Sequence, residues 1–375
     1  MWSAANLAEL VVWFVWLLHS EFIARFQRRR PVERRVPAWL GACDDDGRRP
    51  AAIVTGAGSG IGRAVAVQLA RMGAGALVIA CRTLAEASAV TDEIRAAAPE
   101  DVVLKPVGVD LRDPAQIVAM CEDIRVDKSL RVRLVVHCGG VFCASWRRTE
   151  WGEEETAAVN AVAPARLTAA LAARRRRRRK KKRALPRLRV VTVGSFVHRA
   201  VSAREMTRWV RWVDDTRVRK PDEDEEDEKT KTKTKTYVPA TAYACSKTAA
   251  TMLAYEYSVS SRESHGVCPV LADPGLVDTA INREWPSALR LFYVFAARRL
   301  GVLASPEAAA ALACRACFYE YSVAADGTPP HSRPPPERCA YLFGAAGARL
   351  APSRVVADAH ARGACVRALE RWARL

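Results

Sequence analysis

Three groups of residues in this 375-residue chain have the types and spacings that chemistry requires. Tyr243-Ala244-Cys245-Ser246-Lys247 opens a stretch with helical spacing, Tyr243–Arg262. Residues four apart share a helical face, so the Lys247 ammonium can stand near the Tyr243 hydroxyl. A free tyrosine has a pKa of ~10, too high for a base at neutral pH. A neighbouring cation favours the phenolate and lowers that value. Tyrosine and lysine at this spacing also arise by chance, so the pair needs company to be specific.

The second group supplies it. Thr55-Gly56-Ala57-Gly58-Ser59-Gly60-Ile61-Gly62 lies between an apolar run, Ala51–Thr55, and a helical pattern, Arg63–Met72. Glycines there let the chain turn tightly and let a pyrophosphate approach the backbone, while the helix N-terminus offers unpaired N–H groups to the anion. The third group is Ile79-Ala80-Cys81-Arg82, ending the next apolar run. An NAD-selective site usually places an acid near this point to accept from the ribose hydroxyls. None is present, and Arg82 can pair with a 2′-phosphate. This points to NADP(H) over NAD(H), against the plainer reading of a solvated arginine.

The elements that must position these groups alternate. Ala51–Thr55, Ala76–Ala80, Val102–Val107, Leu134–His137, Arg189–Val193 and Val267–Ala272 read as strands. Arg63–Met72, Leu84–Ala98, Pro114–Val126, Glu153–Ala172 and Tyr243–Arg262 carry helical spacing. Such alternation implies an α/β fold, a Rossmann-like doubly wound parallel sheet covered on both faces. The expected unit is a single domain over about residues 50–350.

Taken together, Thr55–Gly62, Asp110, Asn160, Ser195, Tyr243 with Lys247, and Asp273–Thr279, in that order, resemble the short-chain dehydrogenase/reductase family. The resemblance runs from about Pro50 to Phe343. Val190–Arg199, Ala272–Thr279 and Ser305-Pro306-Glu307 are similar to the retinol-dehydrogenase-like branch, and within it to the plant "forever young" oxidoreductases. The resemblance implies an oxidoreductase moving a hydride between NADP(H) and a carbonyl or alcohol. In it Ser195 hydrogen-bonds the substrate carbonyl, Tyr243 gives or takes the proton, and Lys247 lowers its pKa and holds the nicotinamide ribose. Asn160 positions a water in the proton relay, and Asp110 meets the adenine amino group. Gly139 and Gly140 permit close cofactor approach beside Gly56, Ser59, Gly60, Ile61 and Gly62. Pro274, Gly275, Val277 and Thr279 lie where the carboxamide binds.

Two departures stand out. The family usually carries Asn-Asn-Ala-Gly after the fourth strand, whereas here the stretch is His137-Cys138-Gly139-Gly140, and a thiol is a weaker hydrogen-bond partner than an amide. Ser195 and Tyr243 are also unusually far apart, because an insert at 221–236 combines seven consecutive acids, Asp222–Glu228, with a Lys-Thr repeat. Loop-closure entropy grows slowly with length, so the insertion is tolerable. A second insert, 174–183, is wholly basic and supplies ten of the net +18 charges. Neither run can bury apolar surface, and both are expected to be disordered surface loops. Lacking aromatic interleaving, the basic run reads as a solvated insert rather than a nucleic-acid site. Eleven scattered cysteines suit free thiols in a reducing compartment. Cys314-x-x-Cys317 lies in an alanine-rich helical stretch with no second pair or histidine beside it, so no metal is expected.

At the N-terminus, Leu10–Leu18 is wholly apolar, with Trp2, Trp13 and Trp16 nearby and Arg25, Arg28, Arg29, Arg30, Arg34 and Arg35 following. A span needs ~20 apolar residues, and Glu9, Glu21 and Arg25 make this one marginal. Tryptophans suit the headgroup boundary, and the basic flank would keep the rest of the chain cytosolic. The expectation is therefore a membrane anchor over residues 1–30 with the catalytic domain facing the cytosol, at the endoplasmic reticulum. The alternative is an N-terminal helix packed on the enzyme's own surface. Trp285–Leu303 falls where the family places its substrate-covering segment, and its apolar character suits a lipophilic carbonyl or alcohol such as an isoprenoid; a helix merely packed on core or membrane would read the same way. A homodimer is compatible with this picture. The rival from another class is a non-catalytic cofactor-binding scaffold, which would bind NADPH yet reduce no carbonyl.

Overall fold

Runs of Val, Ile, Leu and Ala bounded by glycine and helix-capping residues form the strands. In the computed structural model, residues 11–13, 15, 16, 18, 19, 35–179, 188–217, 237–259, 266–319, 340–344 and 347–374 are described. The strands are β1 (Arg49–Thr55), β2 (Ala76–Cys81), β3 (Val103–Gly108), β4 (Leu130–His137), β5 (Leu188–Val193), β6 (Val267–Asp273), β7 (Leu276–Val277), β8 (Leu303–Ala304), β9 (Ala340–Phe343) and β10 (Ala348–Arg349). Eight of them make one sheet in the order β10-β9-β6-β5-β4-β1-β2-β3, while β7 and β8 pair separately. Within the main sheet every pairing is parallel except β10 with β9. Pro50–Thr55 and all of β2 are buried, as strands covered on both faces must be.

The longer helices are α1 (Gly60–Arg71), α2 (Leu84–Arg95), α3 (Pro114–Val126), α4 (Ala163–Arg179), α5 (Ala203–Arg217), α6 (Pro239–Val259), α7 (Ser287–Arg299), α8 (Pro306–Cys317) and α9 (Ala359–Ala373). Their starts follow local chemistry. Thr83 caps α2 by accepting from Glu86 N–H, and Asp113 caps α3 ahead of Pro114. Side chains alternate across a strand, so neighbouring β1 residues enter different cores. Ala52 and Val54 pack with Val65 and Leu69 of α1 and Leu312 of α8. Ile53 packs with Ile117 of α3 and Leu167 of α4. The chain runs out from β1 to β3, then returns to lay β4 along the other side of β1. This reversal opens a crevice at the carboxyl ends of the strands, where open α/β sheets bind ligands.

The doubly wound parallel sheet expected from the sequence is thus present. Other expectations are altered. Residues 174–179 of the basic run continue α4 as helix rather than forming a loop; 180–183 and 221–236 lie outside the described residues. The described residues between 11 and 19 are helical, but among the described residues no helix is long and apolar enough to cross a membrane. Trp13, expected at a headgroup boundary, is instead only 5% exposed and packs on the protein's own aromatic core. Apolar composition alone does not tell a bilayer from a protein surface, because both offer dry contact to an indole. Trp2 and Arg25–Arg30 lie outside the described residues.

Candidate active site

The crevice floor is made of backbone. Gly56 holds φ +66° and Gly60 φ +53°, a region that L side chains rarely adopt. A Cβ on Gly62 would lie 2.2 Å from the Gly56 carbonyl oxygen, and one on Gly56 would lie 2.6 Å from Gly139 Cα. The turn and the end of β4 are therefore pressed together with no room for side chains. Thr55 pins them, its hydroxyl accepting from Gly139 N–H at 3.3 Å. Ser59 occupies the N-cap position of α1, yet its side chain makes no cap hydrogen bond. A Cβ on Gly60 would come within 3.2 Å of Thr279 Cγ2, so the turn closes against the segment after β7. A bare, glycine-lined groove at a helix N-terminus fits the pyrophosphate of a dinucleotide.

Across this floor, Ser195, Tyr243 and Lys247 line one cleft with Ile61, Pro274, Gly275, Val277 and Thr279. The cleft has about 800 Å³ of free space, part of it open to solvent. Ser195 follows β5, and its side chain is hydrogen-bonded to Tyr243. Its backbone carbonyl accepts from His198 at 2.8 Å. A carbonyl only accepts, so Nδ1 of His198 carries the hydrogen. His198 is fully buried and burial pushes its pKa down to about 3, so the ring stays neutral.

Lys247 lies one turn beyond Tyr243 on α6, with Nζ over the Tyr243 ring at 5.9 Å from its centre. It donates to the Val193 carbonyl at 3.2 Å. Burial pulls its pKa down to about 8, while Cys138 and Asp273 pull upward. Tyr243 moves the other way. Burial pushes its phenol well above the ordinary tyrosine value, the Asp273 carboxylate adds to this, and the Ser195 hydrogen bond opposes it. In the protein alone, desolvation therefore outweighs the Ser195 hydrogen bond.

Asn160 sits in a π-helical turn, Ala158–Val162, just before α4; such bulges often mark functional sites. Its amide is fully engaged: Oδ1 accepts from Val141 N–H at 2.8 Å, and Nδ2 donates to the Val141 carbonyl at 2.9 Å and to Ser246 Oγ at 3.0 Å. The observed role is to clamp the loop after β4 onto α6. Gly140 lies beneath, where a Cβ would sit 3.3 Å from both Asn160 Oδ1 and Lys247 Nζ. Cys138, which replaces an asparagine of the family pattern, has its thiol pKa raised by burial to about 12.

At the far end, Asp110 and Arg82 lie away from the cleft. Asp110 forms a bidentate pair with Arg112, Oδ1 accepting from Nε and Oδ2 from Nη2. Burial pushes its carboxyl up, but the Arg112 hydrogen bonds outweigh that and hold it below the usual value. Arg82 is 62% exposed and pairs with Glu86 at 3.2 Å.

Other contributors escape sequence inspection. Phe142 lies 5.4 Å from the Tyr243 ring, Trp285 5.6 Å from Phe142, and Tyr293 5.1 Å from Trp285. Trp13 completes the wall, 6.0 Å from Tyr243. Behind it, the buried Asp273 accepts from Tyr341 of β9 and from Gly275 N–H, tying the Pro274-Gly275 turn to the sheet. Only the apolar character of Trp285–Leu303 signalled any of this in advance.

Residues 50–195 match the short chain dehydrogenase family model. Mouse polyprenol dehydrogenase is 32% identical over 259 residues, covering 68% of each chain. Mouse retinol dehydrogenase 12 is 30% identical over 149 residues, 39% of this chain and 46% of that one. Among solved structures, an uncharacterised protein from Mycobacterium paratuberculosis superposes with a TM-score of 0.55 at 20% identity, covering 90% of this chain and 96% of its own.

Proposed function

The chain belongs to the short-chain dehydrogenase/reductase family, oxidoreductases that act on CH–OH groups with a nicotinamide cofactor, and from that premise we propose that Tyr243 is its proton-transfer residue. The observation carrying this reading is the convergence of Tyr243, Ser195 and Lys247 on one cleft beside the glycine turn. When bound, the nicotinamide supplies or accepts the hydride. The chain's own residues do the rest. Ser195 Oγ holds the substrate oxygen, and Tyr243 Oη delivers a proton to that oxygen or takes one from it. The raised pKa keeps the phenol protonated at neutral pH, the form suited to giving a proton to a carbonyl. Gly56, Gly60, Gly62, Gly139 and Gly140 would hold the pyrophosphate and nicotinamide end, with Lys247 on the ribose and Pro274, Gly275, Val277 and Thr279 on the carboxamide. Asp110 would lie at the adenine. Asn160 holds the loop that carries Gly139 and Gly140.

The finer reading is preference for NADP(H), supported by Arg82 at the end of β2 and opposed by its partner Glu86. The substrate is a lipophilic alcohol or carbonyl, supported by the aromatic wall and by the similarity to polyprenol and retinol dehydrogenases. Association with the cytosolic face of the endoplasmic reticulum membrane belongs to the same reading. Val11, Val12 and Val15 of the N-terminal helix and Leu291, Phe292 and Phe295 of α7 turn outward, and arginines follow the N-terminal run. The test is a panel of short and long aldehydes and alcohols assayed with NADPH and NADH. The expected result is turnover of long-chain members with a lower KM for NADPH; no turnover of any member, with NADPH still bound, overturns the reading in favour of a scaffold.

A further inference from the structure

A cofactor groove and a proton donor leave open what Trp13 does for the substrate. This residue lies 230 positions from Tyr243 in sequence, yet its indole is buried against the Tyr243 ring, tilted 45° at 6.0 Å between centres. Its neighbours on the same helix face outward: Val11 is 64% exposed and Val15 60%. The helix thus leaves Val11, Val12, Val15 and Leu18 in the open while turning the Trp13 ring into the cleft. Burying the valines alone would have gained contact without touching the site. The cofactor groove does not need Trp13, since glycine backbone builds it. The indole instead lines the same cleft as Ser195, Tyr243, Phe142, Trp285 and Tyr293, and like Phe142 it stands against the Tyr243 ring, where it is placed to meet a substrate's non-reacting portion.

We propose that Trp13 is a specificity-determining wall of the substrate site, selecting carbonyl compounds with a long, uncharged hydrocarbon chain, so that the N-terminal helix is a working part of the active site. The inference rests on the cleft being a substrate site, as the preceding reading holds. A chain of about eight or more carbons reaches past the reacting carbon to lie against the indole, whereas a four-carbon aldehyde is held by Ser195 and Tyr243 alone. Trp13 touches the non-reacting portion, so its loss should weaken binding rather than slow the proton transfer.

Full-length wild type, Trp13→Ala and Trp13→Phe are compared with butanal, octanal and dodecanal at saturating NADPH. Trp13→Ala should raise KM for dodecanal about tenfold or more and for butanal less than about twofold, with kcat held within about threefold; Trp13→Phe should recover most of the loss. Equal losses at all chain lengths, or a fall in kcat alone, would mean that Trp13 merely supports the fold and would overturn the proposal. A second measurement separates this from failure of the enzymatic reading. Hydroxyl-radical oxidation of NADPH-loaded wild type should modify Trp13 several-fold more slowly than the exposed Trp151, and added dodecanol should slow it further. If no aldehyde is turned over but dodecanol still protects Trp13, the enzymatic reading fails and the wall stands. If Trp13 oxidises as fast as Trp151, or dodecanol has no effect, the wall itself is refuted.

Discussion

The two halves of the crevice are built on different principles. The half proposed for the cofactor, from β1 to β3 with the glycine turn, is made of backbone: close approaches that exclude even a Cβ at Gly56 and Gly62. The half proposed for the substrate is walled by large side chains brought from residues 13, 142, 243, 285 and 293 around the small Ser195. Backbone surfaces tolerate little change, because any side chain intrudes on them. A wall of aromatic rings can be altered one ring at a time. Substitutions in the first half should therefore fail for every substrate, and substitutions in the second should discriminate among substrates.

The sharpest contrast comes from Gly62→Ala. Its Cβ would meet the Gly56 carbonyl, so we expect a stability loss of about 1–3 kcal/mol and cofactor binding weakened on the order of 100-fold, read by NADPH fluorescence titration. The effect should be the same with every aldehyde. If cofactor affinity is unchanged, the groove is not where the pyrophosphate sits. Ser195→Ala keeps the groove intact, so NADPH should bind as before while kcat drops about 100-fold. An unchanged kcat would remove Ser195 from the substrate oxygen.

Asp273 tests the link between the halves. Burial raises its carboxyl to about 6 from an ordinary 3.8. A group whose folded pKa is raised favours the folded state below its unfolded value and loses that contribution as pH climbs through the folded one. Wild type should therefore lose stability relative to Asp273→Asn between about pH 4 and 7, by on the order of 1–3 kcal/mol, as read by thermal melts across pH. A constant gap between the two proteins would show that the carboxyl is already ionised throughout. The smallest effect should come from Arg82→Ala. An exposed arginine already paired with Glu86 should raise KM for NADPH by several-fold and leave KM for NADH nearly untouched. Equal changes for both cofactors would leave Arg82 as a solvated surface residue.

The same contrast explains what could be read from the sequence alone. The alternation of strands and helices is local, so β1, β2, β5 and β6 and helices α2 and α3 lie within a few residues of where periodicity puts them. The glycine turn is legible as a motif because its spacing is local, although only Gly62 answers to a near neighbour, Gly56, while Gly56 and Gly60 are confined by the distant Gly139 and Thr279. Tyr243 and Lys247 share a helical face by spacing alone. Trp13 against Tyr243 and Asp273 against Tyr341 are meetings between distant segments, and no pattern within either segment announces them. The apolar run at residues 10–18 suits a bilayer and a protein surface equally well; only the three-dimensional arrangement turns Trp13 inward. The direction of the Tyr243 shift was hidden for a related reason, since spacing reveals the nearby amine but not the depth of burial that raises the phenol.

The central claim is that Tyr243 handles the proton while the glycine groove holds the cofactor. The direct test is Tyr243→Phe in the full-length protein, with aldehyde reduction and NADPH affinity measured side by side. A ring of nearly the same shape without the hydroxyl should lower kcat by about 100-fold or more and leave the dissociation constant for NADPH within about threefold. In wild type, alcohol oxidation, which needs the phenolate, should climb with pH from about 7 to 10. Turnover by Tyr243→Phe at the wild-type rate would contradict the account.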